Sequence, residues 1–416
     1  MLSSLAVKQR AHELGFDLAG IAPIGLWKDL EFCRRWVERG FNGEMRYLEN
    51  PKRFDPRLVL PSAKSVICVG LVYNAPLPYS TEVGSARVRS QKSEIRSQVS
   101  ATAAPRVWIS RYAWGHDYHE IMRAKLEQLR AAVEELAPGV ETRAFVDTGP
   151  VVERAFARFS GIGWMGKNTC IINQEKGSWF FLGVILTSLE LAPDLPAPDR
   201  CGSCTACLDA CPTGALVEPY VMDASRCISY LNIELQRPIP DEFRPKIGGN
   251  VFGCDICQDV CPWNSSRQLS VHSYQPATFQ QWQSSERSRA THPATTKVQQ
   301  FHPMTVLPIH PAPEGGGVRK HLTTDHGQRT TGDASLSLFS PPLGLLASIS
   351  EDDFRRIFAH SPIKRAKYHG WLRNLCVAMG NSGDGRFVPS LERAAQHSDP
   401  SVREHAAWAL DHLRGK

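Results

Sequence analysis

The chain has 416 residues, of which 42% are hydrophobic, and it carries a formal net charge of +6 at pH 7. This length exceeds that of one ordinary domain, so we expect two or three domains, each with its own core. No apolar run is long enough to span a bilayer and the N-terminus lacks the apolar block of a signal peptide, so we expect a cytoplasmic protein without a membrane partner. The modest positive charge permits a polyanionic partner without requiring one.

The first predicted domain covers residues 1–190 and mixes helices with strands. It begins with an amphipathic helix, and SVICVGLVY at residues 65–73 predicts a buried strand. We expect a helix over residues 118–136 and a core strand within SWFFLGVILTSLEL at residues 178–191. Residues from about 80 to 105 are polar and lack large apolar side chains, so they predict an exposed insertion.

The second predicted domain is a cysteine-rich segment at residues 191–264, and two further regions follow it. Residues 265–341 are rich in Ser, Gln, Thr, His and Pro without a sustained period, so they predict a disordered, low-complexity insertion. Residues 342–416 predict a helical domain. Its last two helices, expected at residues 387–397 and 400–413, have the pattern of a helical repeat unit.

Eight of the twelve cysteines lie within residues 201–261. The stretch CGSCTACLDACP at residues 201–212 has the spacing C-x2-C-x2-C-x3-C-P, which is typical of bacterial ferredoxins. In that pattern three close cysteines hold one 4Fe-4S cluster and the fourth binds a second cluster. Thiols clustered in a reducing compartment favour metal binding over disulfides.

A second run, CDICQDVCP at residues 254–262, repeats this pattern with one cysteine fewer, because position 251 is Val251. Cys227 lies between the runs and brings the thiolates to eight, the number that two cubane clusters need. The crossed arrangement predicts one cluster on Cys201, Cys204, Cys207 and Cys261 and the other on Cys211, Cys227, Cys254 and Cys257. Zinc is the alternative, although zinc sites seldom use three thiols at this spacing.

The remaining cysteines, Cys33, Cys68, Cys170 and Cys376, are expected to be packed rather than reactive. Two clusters by themselves only relay electrons, so we expect a further redox centre or a bound substrate in the N-terminal domain. No GxGxxG follows a predicted strand, which argues against a dinucleotide.

Several longer motifs are distributed over most of the chain. They are DPRLVLPSAKSVI (55–67), RYAWGHDYH (111–119), FVDTGPVVERAFA (145–157), GIGWMGKNT (161–169), GSWFFLG (177–183), CISYL (227–231) and SPIKRAK (361–367). Together with the two cysteine runs, they resemble the epoxyqueuosine reductases, the cobalamin- and iron-sulfur-dependent enzymes of queuosine biosynthesis on tRNA. The combination is specific, although each motif alone is not.

The resemblance implies an α+β fold in three parts: a nitroreductase-like cobalamin-binding domain, a ferredoxin-like domain with two 4Fe-4S clusters, and a C-terminal HEAT-like helical domain that binds tRNA. It implies the reduction of epoxyqueuosine to queuosine at the wobble position, with electrons passing through the clusters to cobalamin. The implied partners are a tRNA anticodon stem-loop and an electron donor that the sequence does not identify. We expect a monomer.

Asp147, in the turn after a predicted strand, matches the catalytic aspartate of the family. From the residues alone, an Asp before Thr148-Gly149-Pro150 is equally consistent with a turn-forming residue. As the proton donor to an epoxide oxygen, Asp147 would need burial to raise its pKa above the ordinary value of about 3.9.

The resemblance also implies contacts to the cofactor and to RNA. The implied cobalamin contacts are Arg57, Ser110, Arg111, Tyr112, Lys167, Asn168, Ser178, Trp179 and Ser229. Some members of the family carry a cysteine where this chain has Ser110, so a thiol role is in doubt there. The implied tRNA contacts are Lys364, Arg365, Lys367 and Arg373, which predict a row of cations along one capped helix. A solvated helix face is the alternative for this row.

Two other functions fit the cysteine pattern. A reductive dehalogenase also feeds cobalamin from two ferredoxin-type clusters, but such enzymes normally carry a twin-arginine export signal and need no basic helical tail. A non-catalytic electron-transfer protein would use the clusters alone, although most of this chain lies outside the cysteine region. Bound cobalamin and a turnover that depends on Asp147 would distinguish an enzyme from such a carrier.

Overall fold

The computed structural model describes residues 3–25, 28–83, 104–264, 294–306 and 336–415. Its α-helices are α1 (Ser4–Glu13), α2 (Lys28–Glu38), α3 (Tyr118–Leu136), α4 (Glu153–Phe159), α5 (Ala206–Ala210), α6 (Arg244–Ile247), α7 (Ile256–Asp259), α8 (Leu343–Ala347), α9 (Glu351–Ile357), α10 (Lys367–Asn381), α11 (Val388–Ala394) and α12 (Pro400–Leu413). Its strands are β1 (Leu18–Pro23), β2 (Ser65–Val72), β3 (Trp108–Ile109), β4 (Thr142–Phe145), β5 (Trp164–Met165), β6 (Ile171–Ile172), β7 (Phe180–Thr187), β8 (Leu216–Glu218), β9 (Val221–Met222), β10 (Asn250–Phe252), β11 (Thr305–Val306) and β12 (Leu336–Ser337). Helices and strands are mixed along the chain, as predicted.

A four-stranded antiparallel sheet in the order β1-β2-β7-β4 forms the centre of the N-terminal part. Its strand β2 is buried at every position and pairs with β1 on one side and β7 on the other. Because side chains alternate across a strand, Ile67 and Val69 pack under α1 and α3, whereas Val66 and Cys68 pack under α4. The predicted core strands and the packed Cys68 are therefore confirmed.

Main-chain pairing joins the cysteine region to the N-terminal part. Strand β10 pairs in parallel with β3. Asn232, in the π-helix Tyr230–Glu234, donates to the carbonyl oxygens of Asn250 at 3.1 Å and Gly253 at 3.0 Å. Cys254 follows directly, so these bonds fix the start of the second cysteine run.

The C-terminal helices share a core with the region around β3 and β10. This core contains Trp108, Trp114, Phe252, Phe358 and Trp371, and none of these side chains is more than 5% exposed. Burial of each such side chain contributes roughly 1.5–3 kcal/mol. The predicted last two helices are confirmed as α11 and α12, and they continue this core rather than forming a separate one.

Part of the segment predicted to be disordered is packed. Phe301 is 3% exposed and contacts the ring of Phe181 edge-on, with centroids 5.1 Å apart. The amide of Thr296 donates to Asn74 O at 2.7 Å. Leu338, near the end of the same predicted segment, is fully buried, and the carbonyl of Pro341 accepts from the amide of Val107 at 3.0 Å. The prediction of disorder is thus wrong for residues 294–306 and 336–341, because a few apolar residues in a polar segment were enough to anchor them.

The rest of the two predicted insertions, residues 84–103, 265–293 and 307–335, lies outside the described residues. Within the described part of the chain, every helix is too short or too polar to cross a membrane.

Candidate active site

Asp147 lies in the turn that follows β4. Its φ of 52° is in the left-handed region, where a non-glycine residue is strained. Gly149 permits the turn, because a Cβ at that position would lie 2.6 Å from the ring of Phe145. The side chain of Asp147 is 48% exposed. The backbone is therefore constrained while the carboxylate stays accessible.

Three side chains from two parts of the chain hold this carboxylate. The hydroxyl of Tyr118 donates to Asp147 Oδ2 at 2.9 Å, and His119 Nε2 lies 3.2 Å from the same oxygen. Arg365, from the C-terminal part, places Nη1 3.6 Å away. Because Tyr118 and His119 begin α3, the start of this helix positions two of the three partners.

These neighbours keep Asp147 ionised at neutral pH. Burial raises the pKa of Asp147, but the hydrogen bond and charge of His119, the hydrogen bond of Tyr118 and the charge of Arg365 outweigh it and lower the pKa to about 2. The expectation that burial brings this pKa above its ordinary value is therefore not met by the protein's own side chains, because these donors outweigh burial. The sequence shows the turn but not the donors that the fold brings to it.

His119 is held between two carboxylates. Its Nδ1 lies 2.8 Å from Asp117 Oδ1, and Asp117 Oδ2 in turn lies 2.9 Å from Lys364 Nζ. Burial lowers the pKa of His119, but the hydrogen bonds and charges of Asp117 and Asp147 raise it to about 9. The sequence analysis missed His119, although it lies in the motif RYAWGHDYH.

Arg365 connects Asp147 to the cysteine region. Its Nη2 lies 2.8 Å from Glu234 Oε1, and Glu234 ends the π-helix that follows Cys227. Burial raises the pKa of Glu234. Short π-helices occur frequently at functional sites. Arg365 therefore faces the candidate active site and bridges two carboxylates.

The four cations predicted to lie along one helix do not share a face. Lys364 and Arg365 lie in the 3-10 helix Pro362–Ala366, whereas Lys367 has a φ of 56° and begins α10. The chain changes direction at this position, which the capped helical pattern did not indicate.

Arg373 is a structural residue rather than a surface cation. It is 3% exposed, and its guanidinium donates to the carbonyl oxygens of Leu231, Leu235 and Arg237 at 2.7–3.0 Å. Burial lowers the pKa of Arg373 to about 10. The expected phosphate contact at Arg373 is therefore wrong, because the helix turns this position towards the cysteine region.

The structure brings the eight cysteines together in two groups. After burial, the charges of Cys201, Cys207 and Cys204 raise the pKa of Cys261. In the second group, burial and then the charge of Cys211 raise the pKa of Cys227, and burial and then the charge of Cys227 raise that of Cys254. A hydrogen bond that Cys257 donates to Cys170 raises the pKa of Cys257, as do burial and the charges of Cys254 and Cys227. All are free thiols.

Four thiolates in a group are the donor set of a 4Fe-4S cluster. Among the described residues, no three His, Cys, Asp or Glu side chains converge closely enough to hold a single metal ion. A cubane of four irons separates its ligands more widely than one ion does, so the two groups fit clusters of this kind.

Several implied cobalamin contacts instead brace the cysteine loops. Lys167 Nζ donates to the carbonyl oxygens of Gly202 at 2.7 Å and Cys204 at 2.9 Å. Asn168 Nδ2 donates to Cys257 O at 3.2 Å. These two residues of GIGWMGKNT therefore hold one loop of each group.

Ser178, Trp179 and Ser229 are also engaged with the protein. Ser178 Oγ accepts hydrogen bonds from Gln258 at 2.9 Å and Asn264 at 2.8 Å. Ser229 hydrogen-bonds to Cys227, whose pKa this contact lowers against burial. Trp179 is fully buried, and its Nε1 has no hydrogen-bond partner among the described residues.

Ser110 and Arg111 converge on a buried carboxylate of the second cysteine run. Asp255 accepts hydrogen bonds from Ser110 Oγ at 2.5 Å, the Arg111 amide at 2.7 Å and Trp108 Nε1 at 2.9 Å. The guanidinium of Arg111 donates to three backbone carbonyls, at Ala75, Leu77 and Pro78. Arg57, in contrast, is 50% exposed and pairs with its neighbour Asp55 at 2.9 Å.

Tyr112 and Glu153 lie near Asp147. The ring of Tyr112 contacts Tyr118 edge-on at 6.2 Å. One carboxyl oxygen of Glu153 is buried without a hydrogen-bond partner among the described residues. Burial, with a smaller effect of the Asp147 charge, raises the pKa of Glu153 to about 8. An aromatic wall and an unpartnered polar atom suit a flat ligand that carries amide groups, as the corrin of cobalamin does.

Two family models match the chain. The model described as "Epoxyqueuosine reductase QueG, DUF1730" matches residues 53–148, and the "4Fe-4S double cluster binding domain" matches residues 200–264. The epoxyqueuosine reductase of Pseudomonas aeruginosa is 37% identical over 413 residues, which cover 97% of this chain and 93% of the relative.

Two solved structures are similar over 98% of this chain and 89% of theirs. One is an epoxyqueuosine reductase with an epoxyqueuosine-modified tRNA-Tyr stem loop, at 29% identity and a TM-score of 0.71. The other is the Bacillus subtilis enzyme with its catalytic aspartate loop swung out of the active site, at 28% identity and a TM-score of 0.70. With near full-length similarity, the shared motifs and the two cysteine groups, the chain belongs to the epoxyqueuosine reductase family.

Proposed function

We propose that this chain reduces epoxyqueuosine to queuosine at the wobble position of tRNA. Family membership supports the reaction, and a solved relative binds an epoxyqueuosine-modified tRNA stem loop. The structural observation that carries the proposal is the accessible Asp147 carboxylate, which Arg365 links to Glu234 in the helix after Cys227. An acid group and an electron-transfer region thus meet at one site.

Two 4Fe-4S clusters and a cobalamin are the proposed cofactors. The first cluster is assigned to Cys201, Cys204, Cys207 and Cys261, and the second to Cys211, Cys227, Cys254 and Cys257; their mutual effects on pKa support this grouping. When bound, cobalamin would supply low-valent cobalt as the two-electron reductant of the epoxide. Of the implied cobalamin contacts, Tyr112 fits best because it adjoins Tyr118 beside Asp147.

The proposed organisation follows the resemblance. Residues 1–190 are assigned to a nitroreductase-like cobalamin-binding domain, residues 191–264 to a ferredoxin-like domain, and residues 342–416 to a HEAT-like domain that binds tRNA. The four-stranded sheet, the two cysteine groups and the α10–α12 helices support these assignments in that order.

Within the site, Asp147 passes a proton to the epoxide oxygen as the C–O bond opens. Tyr118 orients the carboxylate: its own pKa is raised by burial and by the charge of Asp147, so its hydroxyl remains a donor. Arg365, which is paired with Glu234, contacts the same carboxylate oxygen. The catalytic aspartate loop of the Bacillus subtilis relative swings, which makes such holding contacts important for an active geometry.

We assign tRNA binding to the cations that remain accessible in the C-terminal part. A recess there is lined by Arg355, Lys364, Lys367, His369 and His397, together with acidic and aromatic side chains. Cations of this kind neutralise phosphates without reading sequence. The modified base would be extruded towards Asp147. A tRNA substrate also favours a cytoplasmic location.

The test is anaerobic turnover of epoxyqueuosine-containing tRNA by reconstituted protein and a low-potential reductant, with cobalamin added or omitted. Mass analysis of the digested nucleosides should show the loss of one oxygen only when cobalamin is present. Asp147→Asn should abolish this conversion while both clusters remain bound. An unchanged nucleoside with fully loaded wild-type protein would contradict the proposed substrate.

A further inference from the structure

The proposed reaction consumes protons that Asp147 does not itself hold. Conversion of an epoxide to an alkene and water requires two electrons and two protons. The proposed cofactors supply the electrons, but Asp147 is ionised at neutral pH and must first receive each proton that it passes on. This inference rests on the proposed function, and its subject is the group that supplies the proton to Asp147.

His119 is placed to supply it. Its Nε2 lies 3.2 Å from Asp147 Oδ2, the same oxygen that accepts from Tyr118. Its ring stacks on that of Tyr118 with centroids 4.1 Å apart, which fixes its orientation. The His119 side chain is 17% exposed and the Asp147 side chain is 48% exposed, so water reaches this pair.

The charges around His119 favour its protonated form. Asp117 and Asp147 contact its two ring nitrogens, and together they raise the pKa of His119 to about 9 against burial. Lys364 and Arg365 lie one step further out, each paired with one of these carboxylates.

Two more titratable groups lie close to this arrangement. The carbonyl oxygen of His360 accepts a hydrogen bond from the Asp117 amide at 2.7 Å. The Nδ1 atom of the His360 ring lies 3.5 Å from Glu120 Oε1. Both of these side chains are exposed, at 70% and 52%, so water screens their effect on His119.

We propose that His119 stores a proton and delivers it to the substrate oxygen through Asp147, and that it supplies the second proton in the same way after it is reprotonated. The Nε2–H bond of His119 breaks and an O–H bond forms on Asp147, which passes its proton to the oxygen leaving the substrate. Neutral His119 keeps its Nδ1–H bond to Asp117 and is reprotonated from solvent. The basicity of the oxygen released by C–O cleavage drives the transfer, since its conjugate acid is far weaker than imidazolium.

The arrangement assigns a positioning role to Asp117. It selects the tautomer of His119 that directs Nε2 at Asp147. Its pKa is lowered by the contacts of His119 and Lys364 although burial opposes this, so it stays anionic.

The test is single-turnover conversion of epoxyqueuosine-containing tRNA by the loaded enzyme between pH 6.5 and 8.5, compared for wild type and His119→Gln. Glutamine can still donate a hydrogen bond to Asp147 but cannot transfer a proton. We expect a flat wild-type profile, and a variant that is about 100-fold slower at pH 7.5 and loses about tenfold in rate per pH unit. His116→Gln, an exposed histidine in the same segment, is the matched control and should behave as wild type.

A second readout does not depend on activity. In the holoenzyme, the rate at which diethyl pyrocarbonate modifies His119, followed by peptide mass, should reach half its maximum near pH 9, and Asp117→Asn should move this midpoint lower. A flat profile for His119→Gln, or a wild-type midpoint near the ordinary value of about 6.5, overturns the inference alone. Absence of queuosine in the wild-type reaction instead overturns the proposed function, and the inference with it.

Discussion

The two cysteine loops have nearly the same spacing but are held in different ways. The outer loop, residues 201–211, exposes Gly202, Ser203 and Thr205, and Lys167 braces its backbone. The inner loop, residues 254–261, is anchored through buried carboxylates and lies against the core shared with the C-terminal helices. Two loops with nearly the same cysteine spacing are thus held in place by different contacts. The accessible outer loop suits the acceptance of electrons, and the inner loop their delivery to the site.

Removal of a cysteine ligand from the second group should have the largest effect. Cys227→Ser takes one thiolate from the second group, so we expect iron to fall from about eight to about four per chain and queuosine formation to stop. Iron analysis and nucleoside mass measure the two outcomes. Cys33→Ser, outside both groups, is the control. A Cys227→Ser protein that keeps about eight irons would contradict the assignment of this ligand.

Loss of the buried carboxylate of the inner loop should reduce stability strongly. Asp255→Ala leaves three donors without their acceptor, which should lower the free energy of unfolding by roughly 3 kcal/mol or more. Anaerobic denaturant unfolding measures it. In the outer loop, Asp209 is exposed and its side chain accepts, within the described part of the chain, only from Thr205, so Asp209→Ala should change stability by less than about 0.5 kcal/mol. Equal effects would remove the distinction between the loops.

Acid should destabilise the C-terminal helices, whose core lies against the inner loop. His405 is fully buried in α12, accepts from the Ile239 amide at 3.1 Å, and has its pKa lowered to about 3 by burial and by the charge of Arg244. Because the unfolded chain protonates this group near pH 6.5, its contribution is complete above that pH and is lost as pH falls towards 3.

Between pH 7 and 5 this linkage should lower the free energy of unfolding by up to about 2 kcal/mol. His405→Gln should remove that part of the pH dependence in denaturant unfolding of the reconstituted protein. If the variant shows the same pH dependence as wild type, His405 is not the group responsible.

The smallest effect is expected for Lys167, which hydrogen-bonds to the backbone of the outer loop. Lys167→Met removes two hydrogen bonds from a charged donor, which should cost about 1–3 kcal/mol locally but leave global unfolding almost unchanged. The first cluster should then lose iron to a chelator faster than in wild type, with the second cluster unaffected. Equal rates of loss from both clusters would show that Lys167 does not serve the outer loop specifically.

Much of the fold could be predicted because it depends on local patterns. The continuous apolar run of β2 and the helical period of α3 are properties of neighbouring residues, so both elements were placed correctly. The segment at 294–306 was not, because its order depends on a remote contact between Phe301 and Phe181.

The candidate site was predicted less completely than the fold. Asp147 was located through a motif, yet its low pKa follows from His119 and Arg365, which are 28 and 218 residues away in sequence. The prediction of a row of cations was wrong for the same kind of reason, because packing decides the turn at Lys367 and the burial of Arg373.

The sequence by itself determined the number and spacing of the thiolates, the strands β2, β4 and β7 of the central sheet and the family, because these follow from covalent order and short-range periodicity. Only the tertiary structure decided that Lys167 and Asn168 brace the cysteine loops and that His119 lies between two carboxylates. Hydrogen bonds and charge interactions act over a few ångströms of space, and the fold alone sets which distant residues come within that range.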